Sequence, residues 1–472
     1  LMGENKSGTI IDGDGNGTVL SISAEEAVVQ GFTIRNGEIG IEGSSPNSNG
    51  SIVSGNNIYN CNVGIRCGEN FTVSYNEIEN CTEAGIIIYD KCIAVGNALR
   101  NNRQGMLVQG TLNFLRNNTM ENNEFGFGHV PINLTWTVPK EYFVNDIDQS
   151  NTVNGKPIYY WVGKHDMAIP LNASYVELVD CTGIHVHGLN LSNNVVSLVI
   201  ANSRNCLIEN LLVSHNLYWG VTVCCGSVGN TLRNNFISSC ETGVELIDEV
   251  YSTEGNWILD NNVSRCIHGI KITGNCTSNQ LFRNNVTNNT VGISLSFKVN
   301  YNIVCYNNIS GNTETGIYIE RSSNNSIVHN NFLSNTCQIH DTFSGNSSGA
   351  PSVNWWNEDY PGFGNYWSSY NCVDLYSGLH QNVTGADGIG DSPYVIDGNN
   401  NDEYPLMKPY SSFLTDLNSD GNVDIIDITM VATAYNSTPR DSNWNPLTDL
   451  DNDALINILD ISLVAIDFGK AV

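Results

Sequence analysis

The sequence is poor in basic residues and in long apolar runs. Only 20 of its 472 residues are Lys or Arg, against 48 Asp and Glu, and the net charge of −28 excludes nucleic acid and anionic membranes as partners and favours cations. No run of 18 apolar residues occurs, which excludes a helix that crosses a membrane. No Cys-x-x-Cys occurs among the fourteen cysteines, which weakens a zinc-site interpretation. Asparagine, in contrast, is abundant, with 70 residues.

Much of this asparagine belongs to a repeated phrase with an Asn-Asn pair between apolar residues. The phrase starts 27, 23, 23 and 23 residues apart, and its copies are residues 231–236, 258–263, 281–286, 304–309 and 327–332. A Gly-(Ile/Val)-x-(Ile/Leu) segment follows each of the first four copies, at Gly243, Gly269, Gly292 and Gly316. A repeat of this length is a supersecondary unit that buries its apolar face only by stacking on its neighbours.

The repeat unit is built from strands, because short β-branched runs alternate with polar residues and no helix-length apolar pattern intervenes. This predicts an all-β solenoid, a parallel β-helix whose coils lie about 4.8 Å apart. We expect the Asn pairs to stack, to take the left-handed conformation at a corner and to hydrogen-bond from coil to coil. The glycine that begins each second strand is expected to mark another such corner.

The spacing predicts three parts in the chain. Residues 1–340 form the β-helix, with a first block over 1–127 and an insertion at 128–173 that either projects as a loop or packs its aromatic residues on the rod. Residues 341–410, rich in Trp and Tyr, are predicted to cap the last coil, and 411–472 to form a separate domain. No signal peptide and no covering helix precede the first coil, so we expect a trimmed form whose first coil is covered by a removed segment or by another chain.

Cysteines and sequons favour an extracellular location. Because most cysteines recur about one coil apart, we expect disulfides between neighbouring coils. The expected pairs are Cys61–Cys81, Cys67–Cys92, Cys181–Cys206, Cys240–Cys266, Cys276–Cys305 and Cys337–Cys372, leaving the adjacent Cys224 and Cys225. Buried free thiols or zinc ligands are the alternative. Eighteen Asn-x-Ser/Thr sequons, among them Asn70 and Asn382, predict a glycoprotein.

An acidic twelve-residue loop occurs twice near the end of the chain, 33 residues apart, and each copy runs into a short amphipathic helix. Oxygen side chains at positions 1, 3, 5, 9 and 12, with a backbone carbonyl at position 7, are the hard ligands that wrap Ca²⁺. Ala454 replaces the usual turn glycine in the second loop, which predicts a weaker site there. The predicted ligands are Asp416, Asn418, Asp420, Asn422, Asp424 and Asp427 in the first loop and Asp449, Asp451, Asp453, Leu455, Asn457 and Asp460 in the second.

The duplicated loop and helix resemble a dockerin domain over roughly residues 412–472, including Asp rather than Glu at position 12. The resemblance implies a partner, a cohesin-like module. Positions 10 and 11, small hydroxyl residues in many dockerins, are residues 425–426 and 458–459 here, all apolar. We therefore expect a more apolar docking face.

The rest of the chain is similar to the right-handed parallel β-helix repeats of archaeal surface proteins and of NosD-type copper-processing periplasmic proteins. The Asn-Asn phrase, residues 152–157, 364–367, 388–391 and 404–406 carry this likeness across about 400 residues. The resemblance implies a right-handed coil more strongly than it implies a function.

These features favour a non-catalytic structural or adhesive protein at the cell surface, joined through its calcium-bound C-terminus to a cohesin-like module or head-to-tail to copies of itself as a filament. The alternative is a polysaccharide-binding or polysaccharide-degrading β-helix, because such enzymes share this fold. Glu245, Asp248 and Glu249 with Arg265 are the only local charged grouping in the coils. Two further metal hypotheses remain open. They are copper or zinc at His185, His187 and His215, and Ca²⁺ in the acidic loops at 385–391 and 397–402, for which turn chemistry is the alternative.

Overall fold

The chain folds as a parallel β-helix of about 14 coils that carries two short α-helices near its C-terminus. The structure is a computed structural model. It describes residues 1–43, 46–130, 139–342, 352–360, 362–410, 415–418, 422–438, 440–441, 443–451 and 453–470. Within these residues, no helix has the length and apolarity needed to cross a bilayer.

The described residues form 46 strands, numbered in chain order. One sheet of 16 strands, called sheet A, runs the whole length of the rod. Sheet A contains β1 (Ile10–Asp12), β4 (Thr33–Arg35), β7 (Asn57–Tyr59), β10 (Glu77–Glu79), β13 (Ala98–Arg100), β16 (Thr119–Glu121), β19 (Thr152–Val153), β20 (Lys156–Val162), β21 (Tyr175–Val179), β23 (Leu198–Ala201), β26 (Trp219–Cys224), β29 (Thr242–Glu254), β32 (His268–Thr277), β35 (Val291–Ser296), β38 (Thr315–Glu320) and β41 (Cys337–Asp341).

Two six-stranded sheets complete the coils of the first block. Sheet B contains β2 (Thr18–Ser21), β5 (Ile39–Gly43), β8 (Val63–Cys67), β11 (Ala84–Ile88), β14 (Gln104–Val108) and β17 (Phe125–His129). Sheet C contains β3 (Val28–Gln30), β6 (Ile52–Ser54), β9 (Thr72–Ser74), β12 (Ile93–Val95), β15 (Phe114–Arg116) and β18 (Asp146–Ile147).

Two seven-stranded sheets complete the coils of the second block. Sheet D contains β22 (His185–His187), β24 (Leu207–Glu209), β27 (Thr231–Arg233), β30 (Trp257–Leu259), β33 (Gln280–Phe282), β36 (Ile303–Cys305) and β39 (Ser326–Val328). Sheet E contains β25 (Leu212–Ser214), β28 (Phe236–Ser238), β31 (Asn262–Ser264), β34 (Asn285–Thr287), β37 (Asn308–Ser310), β40 (Asn331–Leu333) and β42 (Tyr366–Trp367). In each three-residue strand of sheets D and E the middle, mostly aliphatic residue points inward and is buried.

Asparagine ladders connect the coils, as the repeat predicts. Asn307 donates its side-chain amide to Asn330 Oδ1 at 2.9 Å, and its backbone N–H donates to the same oxygen at 3.0 Å. The expected left-handed conformation belongs to the residue before the ladder, for example Tyr306 and His329, because the ladder asparagine must turn its amide into the corner. The ladder before sheet E contains Asn235, Asn261, Asn284, Asn307, Asn330 and Asn365.

The repeated glycines serve close packing rather than the predicted corner. A Cβ on Gly243 would lie 2.6 Å from the carbonyl oxygen of Gly269, and one on Gly292 would lie 2.5 Å from that of Gly316. None of these glycines has a positive φ. A side chain is excluded there because the next coil lies against the Cα atom.

The two blocks meet at residues 139–179, which include most of the insertion predicted at 128–173. Residues 131–138 of that insertion lie outside the described residues. β18 and β19 continue sheets C and A, and β19 then forms a hairpin with β20, which pairs in parallel with β21. Tyr159, Tyr160 and Trp161 are buried in the two core clusters, so the aromatic residues pack into the rod and do not project from it.

All fourteen cysteines are free thiols, so the predicted disulfides are not formed in this structure. The thiols of Cys67 and Cys92 lie close to each other, and so do those of Cys240 and Cys266. The pairing of Cys276 with Cys305 is wrong, because Cys276 lies in the interior of the rod and Cys305 lies on its outer surface.

Residues 352–410 close the last coil with aromatic rings. Trp367 stacks between Phe332 and Tyr394, with ring centroids 4.3 and 4.2 Å apart. Asp402 is buried beside this stack and accepts a hydrogen bond from Trp367 Nε1 at 2.8 Å. The segment also contains two short hairpins, β43 (Tyr376–Ser377) with β44 (Val383–Thr384) and β45 (Tyr394–Val395) with β46 (Asn401–Asp402).

The described residues from 415 to 470, called the C-terminal module, contain the two α-helices. They are α1 (Ile425–Thr433) and α2 (Ile458–Asp467), and a short 3-10 helix at Pro446–Thr448 lies between them. The helices pack around a small core that includes Val423, Val431, Ile456 and Val464.

Candidate functional site

The two acidic loops of the C-terminal module fold around the aspartate at their twelfth position. Asp427 and Asp460 are fully buried, and each accepts backbone N–H groups from positions 2, 3 and 9 of its own loop. The shortest of these bonds come from Leu417 at 2.7 Å and from Leu450 at 2.6 Å. The buried carboxylates therefore set the backbone path of both loops before any ion binds.

The predicted ligands at position 9 form the helix N-caps. Asp424 accepts from the backbone N–H of Ile426, and Asn457 accepts from that of Leu459, each at 2.7 Å. The Asn457 amide nitrogen also donates to Leu455 O at 3.1 Å, so these two predicted ligands of the second loop bond to each other here. Such side-chain caps hold the helices at a fixed angle to their loops.

Three predicted ligands of the second loop converge. Oxygen atoms of Asp449, Asp451 and Asp453 lie within 4.8 Å of one another. Among the described residues, these three form the group whose spacing is compatible with a metal ion. Burial raises the pKa of Asp449 to about 6, although the nearby Arg233 opposes this shift, and burial also raises the pKa of Asp451. A hard divalent cation would relieve the mutual repulsion of these carboxylates.

The first loop is described only in part. Asp420 and Gly421 lie outside the described residues. Asp416 is buried, and Asn418 and Asn422 take part in contacts of their own. The second loop therefore carries the geometric argument for a cation.

The C-terminal module packs directly on sheet D of the rod. Leu447, just before the second loop, is buried against an apolar patch on the outer surface of that sheet. The members of the apolar patch lie in one row on consecutive coils and are Leu259, Phe282, Cys305 and Val328.

A buried arginine next to the apolar patch joins the rod to the second loop. Arg233 is 1% exposed, and its Nε donates to Glu209 Oε2 at 2.8 Å. Its Nη1 lies 2.6 Å from Asp449 Oδ2, an ion-pair distance without hydrogen-bond geometry. Glu209 also bonds to His185 Nε2 at 2.7 Å. Burial raises the pKa of Glu209, but His185 and Arg233 outweigh it and leave that pKa below its usual value.

A second contact between the module and the rod is more exposed than the pair of Arg233 and Asp449. Arg440 of the module forms an ion pair with Asp166 at 3.0 Å and reaches the carbonyl of Gly183. Between these contacts the rod and the module form a partly open pocket of about 290 Å³, lined in part by His185 and Ala454. The module thus contacts the rod on both sides of this space.

Four apolar residues at the starts of the two helices are open to solvent. Ile425 and Ile426 at the start of α1 are 63% and 49% exposed, and Ile458 and Leu459 at the start of α2 are 59% and 56% exposed. These four residues are positions 10 and 11 of the two loops and are called the paired apolar face. Because the rod does not cover them, they are available to another molecule.

The rod residues considered for other chemistry have structural partners. Glu245 pairs with Lys271 at 3.0 Å, and Asp248 accepts from the backbone N–H of Gly226 at 2.6 Å. His185 and His187 stack with centroids 4.4 Å apart, whereas His215 lines a different groove. His215 therefore does not join the two stacked imidazoles as a third ligand.

The acidic loops of the cap are held by turn hydrogen bonds. Asp387 accepts from the backbone N–H of Ile389 at 3.1 Å, and Asp397 accepts from that of Asn399 at 2.7 Å. These contacts favour the turn-chemistry interpretation over calcium for these two loops.

The contact residues on sheet D are absent from the predicted site. A signal for them was present, because Leu259, Phe282, Cys305 and Val328 are apolar at a repeat position whose side chain points outward. Outward positions of a solvated coil are normally polar.

The comparisons with known proteins find β-helix family models that match this fold. A family model described as periplasmic copper-binding protein (NosD) matches residues 144–372, and one described as right handed beta helix region matches residues 4–137. Solved structures similar to the chain include the periplasmic alginate epimerase AlgG, with 10% identity over 70% of this chain and 71% of that chain and a TM-score of 0.34. Another is the A-module of the Azotobacter vinelandii mannuronan C-5 epimerase AlgE6, with 13% identity over 75% and 81% and a TM-score of 0.24.

A third similar structure is the Dettilon tailspike protein, with 14% identity over 69% of this chain and 60% of that chain and a TM-score of 0.27. A search of curated proteins finds no match. The two family matches lie on the two blocks of coils described above. The chain is a right-handed parallel β-helix repeat protein.

Proposed function

We propose that this chain is a non-catalytic structural or adhesive component of the cell exterior that joins to a protein partner through its dockerin-like C-terminal module. The paired apolar face is the observation that carries this proposal. Two pairs of large aliphatic residues, 33 positions apart, are held by capped helices and remain about half exposed or more. Exposed apolar residues on a rigid support are typical of protein interfaces.

The attachment to the rod supports a joining role. A module that packs on sheet D through Arg233 and Leu447 transmits force and orientation, whereas a loosely tethered module would not. Calcium at the two loops is part of the proposal, supported by the convergence of Asp449, Asp451 and Asp453. The division into rod, cap and module, and the sequons as glycan sites, belong to it as well.

The location is proposed on the same grounds. The matched family is described as periplasmic, and an acidic chain with 18 sequons suits an extracellular or cell-surface environment. The partner is a neighbouring copy of the chain or a cohesin-like module on another protein.

Sedimentation of the purified full chain in millimolar Ca²⁺ tests the proposal. If copies join, the mass rises with protein concentration, and the double variant Ile425→Ser with Ile458→Ser remains monomeric. Val395→Ser, which removes a 69% exposed residue from the cap, is the matched control and should associate like the wild type. If all three are monomeric, binding to cohesin modules is measured next, and no loss of that binding in the double variant contradicts the proposal.

A groove at the junction of the two blocks favours polysaccharide binding as a second candidate. It has a volume of about 400 Å³ and contains an aromatic ring, an imidazole and carboxylates, from Phe125, His215, Glu124 and Glu241. Aromatic rings beside hydrogen-bonding groups are suited to sugar rings. Retention of the full chain on immobilised neutral and acidic polysaccharides, lost in Phe125→Ala, is the expected result if the groove binds glycans.

A further inference from the structure

The carboxylate of Asp449 has two oxygens in different surroundings. Oδ2 lies 2.6 Å from Arg233 Nη1 of the rod and accepts the backbone N–H of Ala454 at 3.0 Å. Oδ1 is buried and has no hydrogen-bond partner among the described residues, although the residue is only 3% exposed. A buried, unpaired carboxylate oxygen is costly unless a cation binds it.

The unpaired oxygen belongs to the residue that converges with Asp451 and Asp453. The same carboxylate therefore faces a cation-compatible cluster inside the loop and a guanidinium on the rod. We propose that Asp449 couples the two: a divalent cation in the second loop, bound through Asp449, Asp451 and Asp453, locks the C-terminal module onto the rod through Arg233. This inference rests on the calcium binding proposed above and adds that calcium controls the attachment of the module.

The coupling is positive when the ion binds the unpaired oxygen Oδ1, because the two cations then use different oxygens of one carboxylate. Arg233 is already neutralised by Glu209, whose Oε2 lies 2.8 Å from its Nε, so its repulsion of a nearby cation is weak. An ion in the loop would fix the orientation of Asp449 that Arg233 requires. By linkage, the contact with Arg233 must then strengthen ion binding by the same factor.

The apolar contact takes part in the same coupling. Leu447 lies two residues before Asp449 and is buried against Leu259 and Phe282 of the apolar patch. Ordering of the loop by an ion therefore also places Leu447. Any change that weakens the attachment to the rod should weaken ion binding, even when it touches no ligand.

Isothermal titration of the full chain with CaCl₂ tests this. Arg233→Gln and, separately, Leu447→Ser should each weaken the second-loop site by about fivefold or more, the lower end of usual coupling energies. Leu447→Ser is needed because Arg233→Gln removes a buried charge and can impair folding. Arg100→Gln, which removes an exposed ion pair with Glu121 in the first block, is the matched control and should bind like the wild type.

The second-loop heat is identified as the part that Asp451→Asn removes. If the wild type shows no such heat, the calcium proposal itself fails. If the wild type binds there and Leu447→Ser binds equally well or more tightly, calcium binding stands and the coupling is overturned. A gain in affinity in Arg233→Gln would show that arginine and calcium compete.

Discussion

The same outward position of the repeat has different chemistry in the two blocks. It lies two residues before the ladder asparagine. In sheet C of the first block it is occupied by Ser54, Ser74, Val95 and Arg116, all at least partly exposed. In sheet D of the second block it is occupied by Arg233, Leu259, Phe282, Cys305 and Val328, all buried.

The difference shows that sheet D is built to be covered. The coil geometry is alike in both blocks, so folding of the rod alone does not demand apolar residues outside sheet D. The apolar residues and Arg233 on sheet D are instead explained by their contacts with the module, namely the burial of Leu447 and the ion pair of Arg233 with Asp449. The C-terminal module is therefore packed as a part of the rod, while the residues of its paired apolar face remain exposed.

Removal of Arg233 should have the largest effect on stability. Arg233→Met leaves the carboxylates of Glu209 and Asp449 buried without their cation, so we expect the free energy of unfolding to fall by about 3–5 kcal/mol. Arg100→Met removes an arginine whose partner Glu121 is half exposed and should cost less than about 1 kcal/mol. Urea unfolding measures both, and equal losses would break the comparison.

Truncation within the two rows should give the next effect. Leu259→Ala empties a site that is 1% exposed beneath the module and should cost about 3 kcal/mol, whereas Val95→Ala at the equivalent, partly exposed position should cost less than about 1 kcal/mol. Thermal unfolding of the two variants gives the difference. A large loss at Val95 would mean that the outward row is structural in both blocks.

The two ends of the rod should respond to pH with opposite sign. Burial raises the pKa of Asp402 in the cap to about 7, so its neutral form stabilises the fold below pH 4 and this contribution is lost as pH rises through 7. Between pH 5 and 8 the loss is about 2 kcal/mol, and Asp402→Asn, although less stable overall, should not show it.

Asp12 in the first coil is the control. The backbone N–H of Asp14, with help from Asn36 and Arg35, lowers the pKa of Asp12, so its contribution is present at neutral pH and is lost as pH falls. Urea midpoints of Asp402→Asn and Asp12→Asn, each subtracted from the wild type across pH, should therefore slope in opposite directions. Parallel slopes would contradict the assignment of the buried carboxyl.

Oxidation of the cysteines should give the smallest effect, in both blocks alike. Diamide is expected to take two electrons and two protons from each close thiol pair, Cys67–Cys92 and Cys240–Cys266, and to form one disulfide in each. We expect a gain of about 1–2 kcal/mol in stability. Peptide mapping should find Cys276 reduced, and its appearance in a disulfide would contradict the separation of Cys276 from Cys305.

Periodicity was sufficient to predict the coils, because every 23-residue copy repeats an apolar residue at the inward positions and an asparagine at the ladder position. It misplaced the left-handed residue by one position and misassigned glycines such as Gly243, since the approach of the next coil is a tertiary contact that no single repeat encodes. The short helix after each acidic loop was predicted, because the loop pattern is local and was visible twice in the sequence. The ion pair between Arg233 and Asp449 was not predicted, because the two residues lie 216 positions apart and no local pattern signals their contact.

Small-angle X-ray scattering of the full chain tests most directly whether the module is part of the rod. In millimolar Ca²⁺ the wild-type curve should match a rod with the module packed on sheet D, and Leu447→Ser should give a greater maximum dimension. An extended curve for the wild type in Ca²⁺, identical to that of the variant, would contradict the account.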